Sequence, residues 1–313
     1  MPPWDMADIA GSGAESGGQV DPEGSAPEGA IVAAIDGQDH DAHVVAWAAD
    51  EAVRQGRPLH IQEVIDLGIS LMAGEGYLPM SALPADSVDG EHSALRAATE
   101  IAAARAPDVP VTIASTPGSV TGVLVALSGH AHTMVLGGGG APGAPFIGST
   151  ALSVAAHAKC PTVVIPDVAP SPTGTVVVGV DGSAASRAAA AYAVAFAEKT
   201  HSTVRCLISW SVEVVDGAVV TQPDTPEWRV VEERHRAVVE DTLAQVRTRH
   251  PAVEIDTVIY RGAASSLLVH EAREAQLLVI GSRGRGGFLG MLLGSTTKRV
   301  LKEATCPVAV VRI

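Results

Sequence analysis

Aromatic residues are scarce: Phe, Trp and Tyr make up 3% of the 313 residues. With a hydrophobic fraction of 47%, any core must be built from Ala, Val, Leu and Ile. Cysteine is nearly absent. Three residues supply no disulfide framework, and no Cys-x-x-Cys pair occurs, so a metal ribbon or thioredoxin-type motif is excluded. Cys160 and Cys306 each precede proline, which reads as a turn into a strand. Positive charge is also short. Twenty-one Lys and Arg against 35 Asp and Glu leave a net charge of −14, which argues against a general nucleic-acid surface. No apolar run approaches the ~18 residues of a membrane helix. The N-terminus has neither a basic start nor an apolar segment, so no signal peptide is read. These absences predict a soluble protein of the reducing cytoplasm, with no membrane and no nucleic acid among its partners.

What is present is a repeated α/β pattern. Residues 1–29 are rich in Gly, Ser, Pro and acids, and read as a disordered tail. From Ala30, short apolar runs alternate with helical spacing. Strands are expected at Ile31–Ile35, Leu59–Ile65, Val111–Ala114, Thr133–Leu136 and Pro161–Ile165. Helices are expected over Val44–Gln55, Glu91–Ala106 and Val120–Ser128, with another opening at Gly148-Ser149-Thr150. Near-continuous apolar strands alternating with helices imply a parallel sheet covered on both faces. Pro166–Gly174, with Pro166, Pro170 and Pro172, is a stiff connector. The programme then repeats through strands Thr175–Val180, Thr203–Ser209, Val253–Tyr260, Leu277–Ile280 and Pro307–Ile313. The helices of this half are expected over Arg187–Lys199, Trp228–Arg249, Ser265–Ala275 and from Gly294. Asp36, Gly118, Gly137, Gly148 and Cys160 recur in order as Asp181, Gly262, Gly281, Gly294 and Cys306. The chain is one unit written twice: residues 30–166 and 175–313.

The chemistry concentrates at Gly281-Ser282-Arg283-Gly284, nine residues, then Gly294-Ser295-Thr296. A strand, a glycine-rich loop and a helix start make an anion site from free N–H groups and the helix dipole. Glycine lets the backbone approach an oxyanion without a Cβ in the way. Ser295 and Thr296 add hydroxyls; Arg283 and Arg285 add charge. The loop is neither Walker A nor a dinucleotide fingerprint. In a doubly wound sheet, Asp181 at the end of the first strand neighbours this loop. A carboxylate beside an anion loop suits a nucleotide. Asp-Gly-Ser also fits a turn or a helix cap, and Ser183 fits a cap as well as a phosphate contact. His40, Asp41 and His43 sit at a helix start and read as solvated surface rather than a closed metal set. Glu232–Arg236 reads as a solvated face with i,i+4 pairs, and Trp210 and Trp228 as packing or rim residues. There is no nucleophile elbow and no local Cys/His pair.

Two units, each opening with Asp-Gly and closing with a glycine loop, Gly-Ser-Thr and Cys-Pro, resemble a tandem universal stress protein over residues 30–313. The family's ATP-binding pattern, G-x2-G-x9-G-S/T, is matched by Gly281, Gly284, Gly294 and Ser295. The resemblance implies Rossmann-like sheets of order 3-2-1-4-5, packed as a pseudo-dimer within a monomer or assembled further as a homodimer. It implies that Val180, Asp181 and the backbone at Ser209 hold adenine and ribose. Gly281, Arg283 and Gly284 would wrap the ribose and α-phosphate, and Gly294, Ser295 and Thr296 the outer phosphates with Mg²⁺. The output implied is an ATP-dependent switch in a stress response, with regulatory protein partners. The alternatives are a slow ATPase or nucleotidyl-transfer enzyme, and a scaffold that binds partners without nucleotide.

The first unit departs from the pattern. Gly137, Gly140, Gly148, Ser149 and Thr150 remain beside Asp36, but seven residues separate Gly140 from Gly148, and they include Pro142 and Pro145 and no basic residue. Each proline removes an N–H donor. Two missing residues cost up to about 7 Å of reach. A weaker site is expected there.

Overall fold

The computed structural model describes residues 26–66, 85–139, 147–167, 174–286 and 292–313. The chain divides into two compact units, one ending at Ile165 and the other running from Pro166 to Ile313.

The first unit runs β1 (Ile31–Ile35), α1 (Asp41–Gln55), β2 (Leu59–Ile65), α2 (Ala85–Arg105), β3 (Val111–Pro117), α3 (Val120–Leu127), β4 (Thr133–Gly137), α4 (Ser149–His157) and β5 (Thr162–Ile165). Its sheet order is β3-β2-β1-β4-β5, all parallel. This is the expected 3-2-1-4-5 arrangement, with the reversal between β1 and β4. Gly29 N–H donates to the His130 carbonyl at 2.7 Å, and Ala30 N–H to that of Pro27 at 3.1 Å.

The second unit runs β6 (Thr175–Gly179), α5 (Ala184–Thr200), β7 (Thr203–Trp210), the hairpin β8 (Val214–Val215) and β9 (Ala218–Val219), α6 (Pro226–Arg249), β10 (Ile255–Arg261), α7 (Ala264–Glu271), β11 (Ala275–Gly281), α8 (Ser295–Glu303) and β12 (Val308–Val311). Its order, β10-β7-β6-β11-β12, repeats the first. Two expectations need correction. The hairpin was not foreseen. The seventh helix stops at Glu271 rather than Ala275, because Ala275 is already fully buried at the start of β11.

The helices follow from their sequences. α5 is Ala-rich, which favours helix, and its Ala189, Ala190, Ala193 and Ala197 are fully buried, so the small side chains let it lie close on the sheet. Ser183 caps it by accepting from Ser186 N–H at 3.1 Å, which settles that residue as a cap. Thr225 caps α6 ahead of Pro226 at its first turn. On α6, Arg234 pairs with Glu213 at 3.1 Å, across to the hairpin rather than along the helix. The hairpin closes over Trp210, Val220 and Val231, with Arg261 stacked on Trp210 and Trp228. Trp210 is therefore core. Cys160, Cys206 and Cys306 are free, buried thiols, and burial pushes each up to about 12.

One buried polar ladder interrupts the first sheet. His60 Nδ1 lies 2.9 Å from Thr112 Oγ1 and its Nε2 lies 3.3 Å from Gln62 Oε1. Gln62 in turn donates to Thr116 Oγ1 at 3.0 Å. Burial lowers the His60 pKa, so the folded state favours the neutral ring. The unfolded chain then binds more protons below its own pKa of about 6.5, and stability falls as pH drops through that value. Denaturation midpoints measured from pH 7.5 to 5 should decline, and a His60→Asn variant should flatten that decline.

Candidate functional site

The second sheet reverses between β6 and β11, and α/β folds bind ligands outside the carboxyl ends of the strands at such a point. A cavity of about 380 Å³ opens there, within the range of small-molecule sites. Its apolar side comes from Val180, Leu207, Leu267, Leu268, Ile280 and Leu293. Gly179 keeps that side close-packed, since an added Cβ would meet Leu268 at 3.1 Å. Its polar side comes from Asp181, Ser186, Ser209, Arg283, Arg285, Ser295, Thr296 and Thr297. Every residue singled out from the sequence of this unit (Val180, Asp181, Ser209, Gly281, Arg283, Gly284, Gly294, Ser295 and Thr296) lines this one cavity.

Sequence reading missed Ser186, Thr297 and the leucines. Ser186 stands one turn into α5, where its position after Asp181 was the available signal. A core leucine and a cavity leucine read alike in sequence.

The glycine loop is closed at its base by backbone. Ser282 N–H donates to the Val311 carbonyl at 2.8 Å, and Gly294 N–H to the Ser282 carbonyl at 2.9 Å. Thr297 Oγ1 donates to the Gly281 carbonyl at 3.0 Å. The N-cap of α8 is Gly294, and no side chain caps it. The first turn of α8 thus presents backbone N–H groups at a cavity it lines. That is what an oxyanion needs.

Asp181 is the one carboxylate among the described lining residues. Its Oδ1 accepts from Ser183 N–H at 2.9 Å and its Oδ2 from Arg285 N–H at 2.7 Å. Burial alone would raise its pKa; hydrogen bonds from Ser183, Arg285 and Ser186 outweigh that and hold it below the usual carboxylate range. It is ionised at neutral pH; the turn reading of this residue holds, and the carboxylate lines the cavity.

The first unit is built differently at the same place. Asp36 follows β1 and is exposed, Gly137 ends β4, and Ser149 and Thr150 open α4 behind Gly148. Gly140 lies outside the described residues. At the positions of Ala185 and Ser186 stand His40 and Asp41. The His40 ring lies against Gly137, where an added Cβ would meet it at 2.1 Å; at Gly281 the neighbour is Ala185, at 3.0 Å. His40 Nε2 sits 3.4 Å from Asp36 Oδ1 and 3.8 Å from Asp41 Oδ1. The Asp41 carboxylate takes Gly37 N–H at 2.7 Å and Asp36 N–H at 3.2 Å. Burial and the Asp36 charge raise its pKa, against the backbone bonds and His40, which lower it. At the loop positions of Arg283 and Arg285 the first unit has Gly139 and Ala141. Where the second unit has Ala185 and Ser186 beside Asp181, the first has an imidazole and a second carboxylate beside Asp36.

Two tandem doubly wound units with an anion-type cavity at the switch point define the class. The model of the universal stress protein family matches residues 29–166 and again residues 172–312, and the chain belongs to this family. A universal stress protein of Mycolicibacterium smegmatis is 33% identical over 296 residues, covering 92% of this chain and 98% of that one. One from Mycobacterium tuberculosis is 35% identical over 292 residues, covering 90% and 96%. Among solved structures, a universal stress protein from Archaeoglobus fulgidus shares the fold at a TM-score of 0.63 and 21% identity, covering 90% of this chain and 96% of that one. Among the described residues, no helix is long and apolar enough to cross a membrane.

Proposed function

We propose that the chain is an ATP-binding regulatory protein of the stress response, with Mg²⁺-ATP held in the second unit. The observation that carries this reading is the uncapped start of α8 opening on a cavity with one apolar and one polar side. The apolar side, Val180 and Leu207 with the Ser209 backbone, suits a purine. Gly281, Arg283 and Gly284 suit the ribose and α-phosphate. Gly294, Ser295 and Thr296 suit the outer phosphates. Mg²⁺ would be held by phosphate oxygens and water, because the one carboxylate at hand is already engaged by two N–H groups. Bound nucleotide supplies negative charge and an ordered polyphosphate; the protein's part is to orient it. Among the described lining residues there is no histidine, cysteine or lysine to act as base or nucleophile, which favours a switch over an enzyme.

Arg283 and Arg285 are exposed and lie on the loop that would close on the phosphates. Millimolar Mg²⁺-ATP should slow tryptic cleavage after both arginines several-fold while leaving cleavage after Arg54 unchanged. Equal cleavage at all three sites, with and without ATP, would count against the proposal.

A further inference from the structure

We propose that Asp181 is a positioning residue, which acts on ligand binding by fastening the first arm of the glycine loop, Arg283–Gly286, to the start of the unit. This deepens the nucleotide reading above and rests on it for its effect on binding. The base of the loop is fixed by the backbone bonds of Ser282 and Gly294. Beyond that base, the Arg285 N–H to Asp181 Oδ2 bond is the one hydrogen bond that ties residues 283–286 to another element among the described residues. It joins positions 104 residues apart.

The surrounding glycines are shaped to this fastening. A Cβ at Gly284 would lie 2.4 Å from Asp181 Oδ2. Gly182 has φ +78°, and a Cβ there would lie 2.2 Å from Arg285 Nη2 and 2.8 Å from Val238. The Arg285 guanidinium therefore rests on the bare Gly182 backbone, while its N–H reaches the carboxylate. The other Asp181 oxygen is spent on the turn into α5, so the carboxylate is itself held rigid. In the first unit, Asp36 takes Gln38 N–H at 3.2 Å and faces His40, ahead of α1, at 3.4 Å. A carboxylate that only touched ligand would have no need of a loop N–H 104 residues away.

The test uses the full chain and separates fastening from ligand contact. Arg285→Pro removes the loop donor and leaves Asp181 intact; Arg285→Ala keeps the donor and removes the guanidinium; Asp181→Asn sets an amide where one N–H must be accepted. Hydrogen exchange at the residue-285 amide, the donor of the bond, is measured without nucleotide, and the release rate of a fluorescent ATP analogue with it. Asp181→Asn should raise both rates about tenfold or more, the size expected for a lost charge-assisted bond, and Arg285→Pro, which carries no amide proton there, should raise the release rate alike. Arg285→Ala should leave exchange within about twofold. The double variant should release no faster than either single one, because both act on one bond. Additive release rates, or unchanged exchange in Asp181→Asn, would overturn the proposal. Should the wild type hold no nucleotide, the exchange result still decides whether Asp181 fastens the arm.

Discussion

Replacing Gly284 with alanine should weaken Mg²⁺-ATP binding by about tenfold to a hundredfold while the chain stays folded. The added methyl has nowhere to go. Its ideal position is 2.4 Å from Asp181 Oδ2, far inside contact distance. Either the carboxylate turns away and releases Arg285 N–H, or the loop arm lifts from the cavity it lines. The first outcome leaves a half-buried acceptor short of a donor; the second removes the backbone from the oxyanion. Each costs about 1–3 kcal/mol, and they act on the same few atoms. Global stability should change far less, since residues 283–286 lie beyond the base bonds of Ser282 and Gly294 that hold the loop to β12 and α8. Calorimetric titration with Mg²⁺-ATP checks the affinity and a circular dichroism melt checks the fold. A Gly284→Ala protein that binds as tightly as the wild type would remove the loop from the site.

The second large effect is in the count. A saturating titration should give about one ATP per chain, not two. The two units share their topology, their strand-end aspartates and their glycines, so fold alone predicts two sites. Side-chain chemistry predicts one. The positions of Arg283 and Arg285 are Gly139 and Ala141 in the first unit, and that of Ser186 is Asp41. Asp36, His40 and Asp41 bring their ligand-type atoms within 4.8 Å of one another, and a polyphosphate placed there would face two carboxylates. At 4 Å, in surroundings of intermediate dielectric, each facing pair of unit charges costs about 4 kcal/mol. The His40 ring also lies directly on Gly137. Gly284→Ala should therefore weaken the whole of the measured binding, with no tight site left over, and Gly148→Ala should leave both affinity and count unchanged. Two equivalent sites in the wild type would show that the first unit rearranges to accept nucleotide.

Much of this was legible before the structure. Period and apolar runs placed the main strands, because a parallel strand buried on both faces is written as consecutive Val, Ile and Leu. The repeat was legible because aspartate, glycine and Cys-Pro recur at strand ends, where backbone geometry limits the choice. The hairpin β8–β9 was not, since strands of two residues carry no periodicity. The overrun of α7 has a similar cause. Ala272-Arg273-Glu274-Ala275 favours helix locally, but β11 must begin at Ala275 to pair with Thr175. Within the site, the glycines that line the cavity were found by their spacing. The fastening of Asp181 to Arg285 was not, because a bond between residues 104 apart leaves no local trace. Nor was the inversion of the first site. His40 and Asp41 look like an ordinary helix start until the fold lays them across Gly137.

The most direct test of the central claim is to denature freshly purified protein and identify what it releases. An adenine nucleotide, up to about one per chain and missing from Gly284→Ala protein prepared in parallel, is the predicted result. Protein that releases none, and whose melting temperature does not rise with millimolar Mg²⁺-ATP, would contradict it.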